Sequence, residues 1–256
     1  MGLSKNRIKY IQSLKEKKHR SLHNTFVAEG EKLVFDLLAT CRCQYIAALP
    51  EILTAHPEIE ADEIVIVSEK ELKMATFLKT APQVIAVFYR PQDEIAQIDL
   101  SDKLHLVLDG VQDPGNVGAI IRIADWFGIE HIICSEDTAD LYNPKTVQAT
   151  MGAIARVKVY YTALVSFLEQ QSHLPIYGTF LEGGDLYSEP LTENGFIVMG
   201  SEGRGISSEV AKLINRSLFI PSYPAGRATS ESLNVAAATA VVCAEFCRRK
   251  IKKSPV

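Results

Sequence analysis

The sequence holds no apolar run near the ~20 residues that cross a bilayer as a helix, which excludes a helical membrane span. Its first twenty residues are polar and basic, and lack the apolar stretch and cleavage pattern of a secretory leader. Cysteine is scarce and odd in number: Cys41, Cys43, Cys134, Cys243 and Cys247. Five thiols cannot complete an intramolecular disulfide framework. Neither Cys41-x-Cys43 nor Cys243-x3-Cys247 has a nearby His or Cys at a zinc spacing, so no metal is expected. Free thiols in a reducing compartment are the plain reading, and the expected location is cytoplasmic. No internal repeat or low-complexity segment is present.

What the chain does hold is the composition of a globular protein: 256 residues, 47% hydrophobic and 23% charged. The net charge of −4 at first argues against a polyanionic partner. Its distribution argues otherwise. Residues 1–23 carry Lys5, Arg7, Lys9, Lys15, Lys17, Lys18 and Arg20 against Glu16, for a net +6. Residues 248–253 carry Arg248, Arg249, Lys250, Lys252 and Lys253, for +5, which leaves −15 on residues 24–247. Two basic ends flank an acidic body.

Ile8, Ile11 and Leu14 mark one face of a basic helix over residues 5–20, and a second helix is expected at 31–38. Residues 45–49, 64–67 and 84–88 read as strands, with a helix at 69–78. This small α/β unit ends at the polar, Pro-containing stretch Arg90-Pro91-Gln92-Asp93-Glu94, which suits a linker. The expected domains are therefore 1–92 and 93–256. In the second, strands at 104–108, 131–134, 157–160, 176–180, 196–199 and 218–220 alternate with helices at 117–127, 145–151, 162–171 and 208–214. A long helix, 232–249, closes the pattern. Such alternation predicts a mostly parallel sheet covered on both faces, with ligands at the carboxyl ends of its strands.

Three loops that follow strands carry the argument. In Asp109-Gly110-Val111-Gln112-Asp113-Pro114-Gly115-Asn116, glycine and proline compress the turn, Asn116 falls at the start of a helix, and Arg122 lies somewhat under two turns further on. The plain alternative is a capped helix with a surface arginine. This is not the dinucleotide fingerprint G-x-G-x-x-G, and no ribose-binding acid is placed downstream, which counts against a dehydrogenase. In Gly200-Ser201-Glu202-Gly203-Arg204-Gly205, three glycines allow a backbone to approach a ligand closely, and Glu202 sits inside that tight geometry. Its plain alternative is a cap for the helix near Ser208. In the third, Ile220-Pro221 is followed by Ser232-Leu233-Asn234-Val235, where Ser232 or Asn234 caps an Ala-rich helix. The small residues 236–240 suit either core packing or a close subunit contact.

Together these loops resemble the SpoU/TrmH family of RNA ribose 2′-O-methyltransferases, in the SPOUT superfamily. The resemblance rests on Asn116-x5-Arg122, Gly200-x-Glu202-x2-Gly205, and Ile220-Pro221 with Ser232-Leu233-Asn234-Val235. It spans residues 104–250, while residues 5–90, with Phe26-Val27-Ala28-Glu29-Gly30, resemble the N-terminal RNA-binding domain of many members. The loop 222–231 is longer than is usual there, and Ala236 stands where many members have serine. The resemblance implies an α/β fold with a deep trefoil knot, a homodimer, and S-adenosylmethionine as cofactor. It implies that Thr179, Phe180, Leu181, Gly200, Gly205, Ile220 and Leu233 hold the cofactor, and that Asn116, Arg122, Glu202, Ser232 and Asn234 form the catalytic set. In that set Glu202 orients Arg122. The implied substrate is ribosomal RNA, with transfer RNA or a non-catalytic RNA-binding role as the alternatives. The sequence has no RRM or zinc-knuckle signature and no aromatic interleaving for single-strand stacking, which leaves the basic residues 5–20 as the candidate phosphate contact.

Overall fold

The computed structural model describes residues 2–92, 95, 98–224, 227–228 and 230–253, the last four by backbone alone. Asp93 and Glu94 of the expected linker, and Ala225 and Gly226 of the long loop, lie outside the described residues. The chain forms two compact units. The first is Met1–Gln92 with Asp140–Arg156, and the second is Asp93–Ala139 with Val157–Val256. The sequence reading assigned residues 140–156 to the C-terminal domain, whereas the structure packs them into the first unit.

In the first unit α1 (Lys5–Ser13), α2 (Lys17–His23), β1 (Thr25–Glu29), α3 (Glu31–Leu38), β2 (Cys43–Ala48), α4 (Pro50–Ala55), β3 (Glu63–Ile66), α5 (Glu69–Ala75) and β4 (Val84–Tyr89) follow in order. The sheet runs β1-β4-β2-β3. Strand β4 is antiparallel to both β1 and β2, and β3 is parallel to β2. Successive side chains of a strand point to opposite faces, and each face has its own core. Phe26, Ile46 and Phe88 join Leu33, Val34, Leu37 and Val147 on one side. Val27, Tyr45 and Val87 join Ile11, Leu14 and Leu72 on the other. Val147 comes from the short helix Pro144–Ala149 of the returning segment.

The single basic helix expected over residues 5–20 is two helices, and Arg20 sits at the break. The Arg20 guanidinium donates to the carbonyls of Leu14 (2.8 Å) and Lys15 (2.6 Å), the acceptors a continuous helix would offer to residues 18 and 19. Arg20 is only 2% exposed and forms an ion pair with Asp140 at 2.6 Å.

The second unit holds β5 (Leu104–Asp109), α6 (Pro114–Trp126) and β6 (His131–Cys134), then the passage through the first unit that includes α7 (Pro144–Ala149). It resumes with β7 (Lys158–Tyr161), α8 (Leu164–Gln170), β8 (Ile176–Phe180), β9 (Gly184–Asp185), β10 (Gly195–Gly200), α9 (Ser208–Ala211), β11 (Arg216–Phe219) and α10 (Val235–Lys253). All seven strands are parallel, in the order β7-β6-β5-β10-β8-β11-β9. After β5 the chain moves to β6 on one side. After β10, the neighbour of β5, it moves to β11 on the other. In sheets of this kind such a divergence places the ligand crevice at the carboxyl ends of the diverging strands, here β5 and β10. Helix α10 packs on α6 beside it.

Candidate active site

Strand β5 ends at Asp109, whose carboxylate accepts the Ser207 N–H at 2.7 Å and so ties the loop after β10 to the end of β5. Helix α6 then starts with Pro114 at its first turn, capped by Asp113, whose side chain accepts the Asn116 N–H at 2.9 Å. Asn116 is therefore not the cap. Its amide is free for longer-range bonds, and it makes two. Its Nδ2 donates to Glu202 Oε1. Its Oδ1 accepts from Asn234 Nδ2 at 3.0 Å. Asn234 is the cap of α10, since its Oδ1 accepts the N–H groups of Ala236 (3.0 Å) and Ala237 (3.3 Å). The three sequence motifs thus meet in one hydrogen-bonded chain, Glu202–Asn116–Asn234.

The Glu202 loop is built on glycine. Ser201 and Gly205 exchange backbone bonds of 3.0 and 2.8 Å, which close the loop on itself. A Cβ on Gly200 would overlap the backbone of Gly205 and Ile206, and Gly205 has φ +68°. Glu202 projects from this hairpin, exposed apart from its bond to Asn116, and does not cap α9. Within the chain its partner is Asn116 and not Arg122. Arg122 is exposed on α6, and no ion pair holds it among the described residues. Ser232 is exposed two residues before the α10 cap, outside the hydrogen-bonded chain.

Of the expected cofactor residues, Thr179 lies at the end of β8, its hydroxyl donating to the Val198 carbonyl of β10 at 3.3 Å. Phe180 and Ile220 are half-buried at the ends of β8 and β11. Leu181 and Leu233 are large apolar side chains left 65% and 50% exposed. Burial pushes Cys43 and Cys243 up to about 12 and raises Cys134 as well, far from the thiolate range. Sequence reasoning missed Asp109 and Asp113. The Asp113-Pro114 pair was a readable cap signal, whereas the reach of Asp109 to Ser207 is non-local.

A parallel sheet with a polar cluster at its switch point is the arrangement of α/β proteins that take a ligand at the carboxyl ends of their strands. Residues 103–244 match the model of the SpoU rRNA Methylase family, and residues 5–86 that of the MRM3-like substrate binding domain. The chain belongs to the SpoU rRNA methylase family. It is 31% identical over 240 residues to the 23S rRNA (guanosine(2553)-2'-O)-methyltransferase RlmP of Bacillus subtilis, covering 92% of this chain and 94% of that one. A solved TrmH-family protein of Porphyromonas gingivalis superposes with a TM-score of 0.88 at 42% identity, over 97% of this chain and 100% of the other. The AdoMet-bound rRNA methyltransferase of Sinorhizobium meliloti superposes with a TM-score of 0.85 at 29% identity, over 97% of each chain.

Proposed function

We propose that this chain transfers the methyl group of S-adenosylmethionine to a ribose 2′-hydroxyl of large-subunit ribosomal RNA. The observation that carries the reading is the chain Glu202–Asn116–Asn234, which gathers the three family motifs at the start of α6, the helix that carries Arg122. The residues fit the cofactor: the close-packed Gly200–Gly205 hairpin brings backbone to the crevice, and Leu181 and Leu233 offer apolar surface for an aromatic base. We assign Thr179, Phe180, Leu181, Gly200, Gly205, Ile220 and Leu233 to its binding. When bound, S-adenosylmethionine supplies a methyl already activated on a sulfonium.

The residues of the chain are left with positioning and with the charge of the nucleophile. A guanidinium is a poor proton acceptor, so Arg122 serves as an electrostatic partner and not as the base. Its exposed guanidinium binds the phosphate beside the target ribose and stabilises the alkoxide as it forms. The proton leaves through that phosphate or water. Asn116 and Asn234 fix the crevice, and Ser232 reaches the ribose. The trefoil knot, a homodimer in which Glu202 approaches the partner's active site, and a cytoplasmic location belong to the same reading.

In the first unit Lys5, Lys9, Lys15, Lys17 and Lys18 are exposed and available to RNA phosphates. Arg20 is not, being committed to Asp140, and at the other end Arg248 and Arg249 are both bonded to Glu245. Arg122→Ala is expected to abolish methyl transfer to an unmodified 23S rRNA transcript while calorimetry shows unchanged S-adenosylmethionine binding. Retained turnover would sink the assigned role. Methylation of transfer RNA with none on ribosomal RNA would overturn the substrate.

A further inference from the structure

The turn that launches α6 is held from the side by a segment no motif contains. Ser135 follows directly on β6. Its Oγ accepts the Gly110 N–H at 2.9 Å, donates to Asp137 Oδ1 at 2.6 Å and lies 2.9 Å from Thr138 Oγ1. The Thr138 hydroxyl, itself buried, donates to the Leu108 carbonyl at 3.1 Å, and the Ala139 N–H donates to the Val111 carbonyl at 2.9 Å. The second Asp137 oxygen meets Arg204, at the tip of the Glu202 hairpin, at 3.4 Å. Gly110 sits beneath this pair with φ +68°, and a Cβ there would lie 3.3 Å from Asp137 Oδ2. The Ser135 hydroxyl is thus where the β5 turn, the β6 turn and, through Asp137, the β10 hairpin are joined.

We propose that Ser135 is a positioning residue for methyl transfer, fixing the turn that launches α6, the helix of Asn116 and Arg122, against the hairpin that carries Glu202. The inference rests on the methyltransferase reading above. Gly110 is buried, so removal of the hydroxyl leaves its N–H without an acceptor. A glycine in the left-handed region has other conformations open to it, and the turn relaxes toward them. Asp137 and Arg204 are exposed and their ion pair is weak, so the Ser135 and Thr138 hydroxyls hold the β5 turn in place, and that turn meets the hairpin through Asp109 and Asn116.

Ser135→Ala and Ser135→Thr are compared with the wild type in the full chain. The assays are turnover with labelled S-adenosylmethionine and a 23S rRNA transcript, calorimetry with S-adenosylmethionine, and thermal melting. A displacement of about 1 Å costs on the order of 10²-fold in rate. The alanine variant is therefore expected to lose about 10- to 100-fold in kcat, with KM for RNA, cofactor Kd and melting temperature near the wild type. The threonine variant, which keeps the hydroxyl, recovers most of that loss. An alanine variant with wild-type kcat overturns the proposal. So does one that loses kcat, cofactor affinity and folded structure together. A wild-type protein that neither binds the cofactor nor transfers methyl overturns the underlying reading instead, and the proposal falls with it.

Discussion

Asn234 serves two elements at once, and the direction of its bonds restricts what can replace it. Glu202 as a carboxylate can only accept, so Asn116 must turn its amide nitrogen toward it and its oxygen toward residue 234. Residue 234 must then donate to Asn116 while its own oxygen caps α10. Aspartate keeps the cap and loses the donor. Asn234→Asp is expected to melt near the wild type yet to lose about tenfold or more in kcat as the crevice shifts. Asn234→Ala loses both bonds and is expected to cost about 1 kcal/mol of stability, read from urea unfolding. If Asn234→Asp keeps full activity, the Asn116 contact is not what matters. Gly200→Ala is a sharper disturbance, because its methyl meets backbone and not a yielding side chain. It is expected to abolish cofactor binding by calorimetry.

At the level of elements, the strand–loop–helix pattern of the second unit was legible because alternating apolar runs and glycine turns are local signals. Six of the seven strands of the parallel sheet follow from them, whereas β9, two residues long, leaves no such signal. The break between α1 and α2 was not legible: the apolar face of Ile8, Ile11 and Leu14 runs through it, and Arg20 is drawn inward by Asp140, a partner remote in sequence. Strand β1 was hidden for a related reason, since all five of its residues are buried and no polar alternation marks it. For the site, each motif could be read in sequence, but the bonding order Glu202–Asn116–Asn234 is a tertiary fact. The break also redistributes charge. Lys17 and Lys18 stand exposed at the start of α2, whereas Arg20 is structural. Lys17→Glu with Lys18→Glu is expected to weaken RNA binding and, if each meets a phosphate, to reduce the salt slope by about 1.5. Arg20→Ala is instead expected to cost about 3 kcal/mol in unfolding, because Asp140 loses its buried partner.

Across the whole molecule, two groups of the second unit are expected to make stability fall with acid. His105 is fully buried beside His131 and Phe196, and burial, then the neighbouring His131, lowers it to about 4; Lys103 lowers it a little and Glu130 opposes. The unfolded chain therefore takes up a proton near pH 6.5 that the folded chain refuses, and stability falls from there down to about pH 4. Glu245 is held down to about 2, chiefly by its bond from Arg248, with Arg249 adding to it. Its contribution is complete above the ordinary carboxylate range and is lost as the pH falls toward 2. Urea midpoints between pH 7 and pH 4.5 are expected to decline, and His105→Phe to flatten that decline. Equal slopes in the two proteins would assign the acid sensitivity elsewhere. The division of the first unit into two stretches of chain has a further consequence, for synthesis on the ribosome. When Gln92 emerges, Arg20 has no carboxylate to meet and the core of Phe26 and Leu37 still lacks Val147. At about 5–20 residues per second, another ~60 residues take several seconds to follow. The nascent chain must hold an unfinished substrate-binding fold for that time, and a graft of this unit onto another enzyme has to carry both stretches.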